Sequence, residues 1–312
     1  MLLGNCSCIA LISYIRVANA KSALPPSMAV VLRKEPGRQC SARTALLAIS
    51  ALLINVPAFA DNACTVAQYD ETSQVKYIHD GDTLHLKDGR KVRLIGINTP
   101  EVARGKQAAE LFSAEAKNTL KALFKDDKSI NLVFGKEEKD HYQRTLAHGF
   151  TKDGLNIQAA LLKQGYAQVI TFPPNTKFTA CYLEQERIAR CSKKGLWKKT
   201  RPISAKKLDD THIGFKFIKG KLKNIYINRK GIWLNLDDKL TVGIRPDNQP
   251  LFDIDTIHRM LNQTVVVRGW LNKNNSNKNN SKSKKHTPAT RPYYLRIRHP
   301  SAIQVSSSFA CS

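Results

Sequence analysis

Short apolar runs alternate with polar positions through the middle of the chain, and their spacing predicts a small β domain with helical additions. Val75–His79, Thr83–Leu86 and Lys91–Ile97 show the partial period-two alternation of strands with one buried face. Gly81 and Asp88-Gly89 mark turns between them. Ala108–Phe124 places Leu111, Ala114, Leu120, Leu123 and Phe124 at helical spacing. Ile130–Phe134 and Leu146–Phe150 read as strands. Asn156–Gln164 reads as a helix with Gly165 as its C-cap, and Tyr182–Lys194 as a helix closed by Gly195. Three strands, a helix, two strands and further helices is the order of an OB barrel, so the class is mainly β with α additions, α+β.

The pattern then repeats in a weaker form. Residues 199–211 are basic and polar and read as a linker. Phe215–Ile227, Gly231–Leu236 and Leu240–Ile244 read as strands, Asp253–Leu261 as a helix, and Val265–Leu271 and Tyr294–Ile297 as strands. A second, smaller OB-like domain over 212–306 is expected. Residues 272–290 interrupt it with an Asn/Ser/Lys-rich segment that lacks apolar positions and is expected to be disordered. OB barrels use the loop between their last two strands for nucleic acid, which makes Lys282, Lys284 and Lys285 candidate substrate contacts.

The start of the chain reads as targeting sequence. Arg33, Lys34, Arg38 and Arg43 form a basic region, Leu46–Val56 a short apolar core, and Ala58-Phe59-Ala60 a small-x-small cleavage site. The expectation is cleavage after Ala60 and an exported chain, periplasmic or secreted, without a membrane span. Residues 1–27 are then surplus, and Met28 is the expected start. Residues 61–74 form an N-terminal arm. The chain has 312 residues and a formal charge of +25; residues 1–60 hold six of its 50 cations and one of its 25 acids. The basic excess therefore belongs to the exported part and favours a polyanionic partner, of which nucleic acid is the commonest. Four cysteines follow residue 60, at 64, 181, 191 and 311. They permit two disulfides in three connectivities, with Cys64 and Cys181 as candidates to staple the arm to the last helix of the first domain.

The chemistry concentrates between Asp80 and Arg144. Asp80-Gly81-Asp82-Thr83 can aim two carboxylates to one side. Asn98 and Thr99 add oxygen ligands that suit Ca²⁺ or Mg²⁺. Arg93 and Arg144 suit a phosphate that gains charge during reaction, and a spare carboxylate beside them can orient or deprotonate water. No Walker loop, nucleophile elbow or His-Glu-x-x-His is present. His79, His85, His141 and His148 lack ligand spacing and read as structural or surface residues. Trp197 is expected to pack on the barrel.

From Val75 to Trp197 the chain resembles the staphylococcal nuclease (thermonuclease) family. The resemblance is carried by Asp80-Gly81-Asp82-Thr83, by Val92-Arg93-Leu94-Ile95-Gly96-Ile97-Asn98-Thr99-Pro100-Glu101, by Asp140/Tyr142/Arg144 and by Gly195-Leu196-Trp197. It implies a nuclease domain over 75–198 in which Asp82, residue 98 and the Thr99 carbonyl hold Ca²⁺, with Asp80 behind them. Glu101 is then the general base, Arg93 and Arg144 grip the phosphate, and Tyr142 and Phe172 contact the nucleotide. Two positions depart from the family. Asn98 replaces an acidic ligand, which opens the ion preference to Mg²⁺ or another divalent ion. Gln143 replaces a glycine beside Arg144. The expected activity is a metal-dependent endonuclease on DNA and RNA with low sequence specificity, acting as a monomer with no stable protein partner. The alternative is a binding module of the same fold that has lost catalysis.

Overall fold

The computed structural model describes residues 64–105, 107–124, 127–274 and 291–311. The targeting segment and Lys282, Lys284 and Lys285 lie outside the described residues. β1 (Glu71–Ile78), β2 (Thr83–Leu86) and β3 (Lys91–Leu94) form an antiparallel meander. Leu84, Leu86, Val92 and Leu94 point inward and are fully buried, each such side chain contributing about 1.5–3 kcal/mol. The alternation that buries Val92 and Leu94 turns Arg93 to the opposite face.

The expected strand Lys91–Ile97 is broken. Gly96 takes a left-handed φ of 83°, and β4 (Ile97–Asn98) leaves the barrel to pair with β7 (Gln168–Val169). The helix expected from Ala108 starts later, as α1 (Ser113–Phe124). Phe112 has a φ of 70°, which no helix residue adopts, and Leu111 is exposed. β5 (Ser129–Lys139) runs five residues beyond the expected Phe134, and β6 (Thr145–Phe150) follows. The strands close in the order β1-β2-β3-β6-β5, with β3 and β6 parallel. α2 (Ile157–Gln164) is capped by the Asn156 side chain, which accepts from the Ala159 N–H, and ends on left-handed Gly165. α3 (Thr179–Cys191) packs on α2.

The second domain repeats the plan. β9 (Gly214–Asn228), β10 (Gly231–Leu236), β11 (Leu240–Ile244), α4 (Ile254–Arg259), β12 (Thr264–Lys273) and β13 (Tyr293–Arg296) follow in sequence. β9, β10, β11, β13 and β12 are neighbours in that order, β12 returns to β9, and β11 and β13 are parallel. This is the order of the first barrel: first, second, third, fifth, fourth. β14 (Ile303–Val305) joins the edge of β12, and α5 (Ser306–Phe309) ends the fold.

Three expectations need correction here. The segment read as a linker is built into the second barrel: β8 (Ile203–Ser204) pairs with Ile218 and Lys219, and Ala205 and Leu208 are buried in the second core. Asn272 and Lys273 are not in a disordered insertion but extend β12, where Lys273 Nζ pairs with Asp210 Oδ2 at 2.6 Å. Trp197 packs between the domains rather than on the first barrel, in a cluster with Ala189, Phe217, Val266 and Phe309. Trp197 meets Phe217 edge to face at 5.3 Å between centroids, and Phe217 meets Phe309 at 5.8 Å.

That seam is locked further. Glu186 on α3, fully buried, accepts a 2.6 Å hydrogen bond at Oε2 from Arg268 Nη1 on β12, and its Oε1 accepts from the Val169 N–H. Cys191 on α3 is bonded to Cys311 after α5. The second disulfide joins the candidates Cys64 and Cys181, and Asn156 Nδ2 donates to the Cys64 carbonyl beside it. Among the described residues no helix is long and apolar enough to cross a membrane.

Candidate active site

The turn between β1 and β2 presents Asp82. Asp80 Oδ1 accepts the N–H of Asp82 at 2.9 Å and of Thr83 at 2.7 Å, so Asp80 shapes the turn as an Asx cap. Gly81 is required by close approach: a Cβ there would lie 2.8 Å from Thr99 Cγ2 and 2.9 Å from Ala116 Cβ. Asp82 is buried; its Oδ1 accepts from Thr83 Oγ1 and is ion-paired with Arg93 Nη1 at 3.1 Å, and its Oδ2 accepts from the Thr99 N–H and Oγ1. Arg93 also donates to the Leu94 carbonyl through Nη1.

Across the cleft, Asp140 organises the turn after β5. Its Oδ1 accepts the N–H of Tyr142 and of Arg144; its Oδ2 accepts from Arg144 Nε at 2.7 Å and is ion-paired with Nη2 at the same distance. Burial pushes the Asp140 carboxyl up, but the Arg144 hydrogen bonds and charge outweigh it and hold the pKa below the ordinary value. Gln143 adopts a φ of 62°, the left-handed conformation that a glycine takes without strain. The turn that presents Arg144 is therefore kept despite the departure at this position. Tyr142 is 69% exposed, with the Arg144 guanidinium 5.6 Å from its ring centroid.

Asp80, Asp82, Arg93, Asn98, Glu101 and Arg144 line one cleft of about 1600 Å³ together with Tyr142 and Phe172. Small-molecule pockets reach about 1,000 Å³, so this cleft exceeds the needs of one small ligand. Thr99 is buried behind the wall, bonded to Asp82. Glu101 is exposed on the cleft wall, yet the surrounding protein withdraws enough water to raise its carboxyl pKa. The charges of Asp82 and Asp80 add to the rise, against Arg93. Burial likewise raises Asp82, with Arg93 lowering it and Asp80 raising it.

The donor set suits a hard divalent cation: a carboxylate, the Asn98 amide oxygen and the Thr99 carbonyl are all oxygen ligands. Asp82 Oδ1 already faces positive charge, with Arg93 Nη1 3.1 Å away. Mutual repulsion among Asp80, Asp82 and Glu101 is a further cost that a cation offsets. Among the described residues no group of three or more His, Cys, Asp or Glu is placed to hold a metal, so amide and backbone oxygens are needed to complete a site. His79, His85 and His141 also line the cleft; His85 stacks on Tyr77, and buried His148 bonds Tyr182 through Nδ1 at 2.9 Å.

A staphylococcal nuclease homologue model matches residues 91–199. The chain is 31% identical over 132 residues to the thermonuclease of Staphylococcus intermedius, spanning 77% of that protein and 41% of this one. This chain belongs to the staphylococcal nuclease homologues. That membership makes it a nuclease, a hydrolase of phosphodiester bonds, with nucleic acid as its substrate class. The thermonuclease of Staphylococcus hyicus is 32% identical over 132 residues, 41% of this nuclease homologue and 76% of that protein. Endonuclease YncB of Bacillus subtilis is 32% identical over 126 residues, 39% and 59% of the two chains. The family model ends at residue 199, before the second barrel.

The second barrel nevertheless contributes to the cleft. Trp270, Tyr294, Arg296 and Arg298 line it, and none was singled out from sequence. The available signal was alternation: in Leu295-Arg296-Ile297-Arg298 the aliphatic residues are buried and the arginines take the other phase. Phe172 packs in neither core. It is 38% exposed and stacks against Trp270 of the other barrel.

Proposed function

We propose that this nuclease homologue is an exported, divalent-metal-dependent endonuclease that cuts DNA and RNA with little sequence preference. The observation that carries the reading is the convergence of Arg93, Glu101, Arg144 and Asp82 on one cleft. Asp82, the Asn98 side-chain oxygen and the Thr99 carbonyl would hold the cation, with Asp80 fixing the Asp82 turn. When bound, a divalent cation supplies Lewis-acid polarisation of a phosphate oxygen and of water.

The chain's own residues do the rest. Glu101 accepts a proton from the attacking water; the raised pKa of its carboxyl makes it a better base than an ordinary surface glutamate. Arg93 and Arg144 donate to the non-bridging phosphate oxygens, where charge grows in the pentacovalent transition state. Each arginine is pre-oriented by a carboxylate, Arg93 by Asp82 and Arg144 by Asp140, so little rotamer entropy is lost when phosphate arrives. Following the family resemblance, the bond to the 5′ oxygen breaks, leaving a 3′-phosphate. Tyr142 and Phe172 contact the nucleotide, and the basic surface attracts the strand without reading bases. Ca²⁺ is the proposed ion. The exported form is a monomer, periplasmic or secreted, held by its two disulfides.

The test is incubation of the protein from Asp61 onward with plasmid DNA and with RNA, in Ca²⁺, in Mg²⁺ and in chelator. Cleavage of both polymers with Ca²⁺ and loss in chelator are expected. Cleavage that persists in chelator would refute the metal assignment.

A further inference from the structure

We propose that the second barrel carries a subsite for the single strand of nucleic acid that leaves the catalytic cleft, built from Trp270 stacked on Phe172, from Arg296 at the end of β13 and from Arg298 just beyond it. The proposal rests on the nuclease reading and extends it to a domain the family match does not cover.

The first argument is geometric. Phe172 belongs to the nuclease barrel and Trp270 to β12, yet their rings lie nearly parallel, 17° apart in plane and 5.8 Å between centroids. The Arg298 guanidinium sits over Phe172 at 4.6 Å, and Phe215 meets Trp270 edge-on at 5.0 Å. Such an array would ordinarily be buried. Here Trp270 is 40% exposed and Phe172 38%, on the wall of the cleft that holds Arg93 and Arg144. Exposed aromatic faces beside cations are what a base stacks on, and every base has such a face.

Charge points the same way. Arg245, Arg296 and Arg298 crowd together, and their opposing carboxylate is Asp247, 3.4 Å from Arg296 Nη2. Among the described residues no carboxylate forms an ion pair with Arg298. Burial, then the positive charges of Arg296 and Arg245, push the Arg298 pKa down, so the cluster is held against its own repulsion. A phosphate backbone relieves that repulsion and releases counterions.

Continuity fixes the occupant. The subsite is joined to the catalytic barrel through the Glu186–Arg268 pair and the Cys191–Cys311 bond. A strand whose phosphate lies between Arg93 and Arg144 can continue along the same wall onto Trp270. The ligand is therefore the flanking part of the same substrate strand, not a free nucleotide.

The experiment uses the full exported chain. Binding of a labelled oligothymidylate of about 12 nucleotides, within the ~4–16 that one OB barrel covers, is followed by anisotropy in chelator. Trp270→Ala is expected to weaken binding about tenfold, and Trp270→Tyr to keep most of the affinity. Arg298→Gln should weaken binding and flatten the slope of log Kd against log salt by about one. In Ca²⁺, Trp270→Ala should lose about tenfold more kcat/KM on the oligomer than on a dinucleotide, which cannot span both barrels. Oligomer affinity within twofold of the parent for both Trp270→Ala and Arg298→Gln would overturn the proposal. So would equal losses on long and short substrates, or polyglutamate binding as tightly as the oligomer. If the protein binds the oligomer through Trp270 but cleaves nothing in any ion, the catalytic reading fails and the subsite stands. If it cleaves with no dependence on Trp270, the reverse holds.

Discussion

The ion pair between the barrels gives the sharpest stability test. Arg268→Met removes the guanidinium and keeps most of the aliphatic stem. Glu186 is fully buried, and losing Arg268 leaves its Oε2 with Arg190 at 3.9 Å, beyond hydrogen-bond reach. Its Oε1 keeps the Val169 N–H at 2.8 Å. Breaking one side of a buried pair costs about 3–5 kcal/mol, because the other charge is left without compensation. Arg190 supplies some of that compensation, so the lower end, about 3 kcal/mol, is expected. The cation–π contact of Arg268 over Phe217 at 4.9 Å is also lost, but the Met stem still covers the ring.

Adding Glu186→Gln should recover much of the loss. The neutral amide oxygen can still accept from Val169, and no buried carboxylate is left without its guanidinium; Arg190 keeps its cation–π contacts with Phe309 and Trp197. A favourable coupling of about 2 kcal/mol is expected in the double-mutant cycle. The assay is urea unfolding with both disulfides oxidised, followed by tryptophan fluorescence, to which Trp197 in the same seam contributes. A cost below about 1 kcal/mol for Arg268→Met, or simple additivity of the two changes, would refute the claim that this pair fastens the barrels.

Other outcomes follow from the cleft and the core. Arg93→Ala and Arg144→Ala should each lower kcat about 10²-fold or more, as removal of a transition-state donor does; near-normal turnover in either would remove that arginine from the mechanism. Asn98→Asp adds an anionic oxygen and should tighten Ca²⁺ binding on the order of tenfold by calorimetry, whereas an unchanged Kd would exclude residue 98 as a ligand. His148 is held neutral by burial, with its pKa pushed from 6.5 down to about 3. The unfolded chain takes up this proton below 6.5 and the folded one does not, so stability falls with pH across that window. The loss is about 2 kcal/mol between pH 7 and pH 5, and His148→Gln should flatten it in urea midpoints at the two pH values.

How far the sequence could be read depended on the distance over which each feature is decided. The Asp80–Thr83 turn was legible because its hydrogen bonds close within three residues. Arg93 was legible because Val92 and Leu94 fix the phase of their strand. The break at Gly96 was not, since Val92–Ile97 is apolar almost throughout and the strand that captures Ile97 and Asn98 lies at Gln168–Val169. Phe112 ends the helix pattern by its backbone conformation, which helical spacing alone does not reveal. The role of Glu186 was not legible, since its partner lies 82 residues away on another barrel. Trp270 and Arg298 escaped for the same reason, because a cleft shared by two domains has no single local pattern. The comparisons inherit this limit, since the family model stops at residue 199. Motifs held within one barrel therefore identify the chemistry. What the second barrel adds to the cleft lies where Phe172 meets Trp270, and there exposure and charge had to be read from packing rather than from spacing.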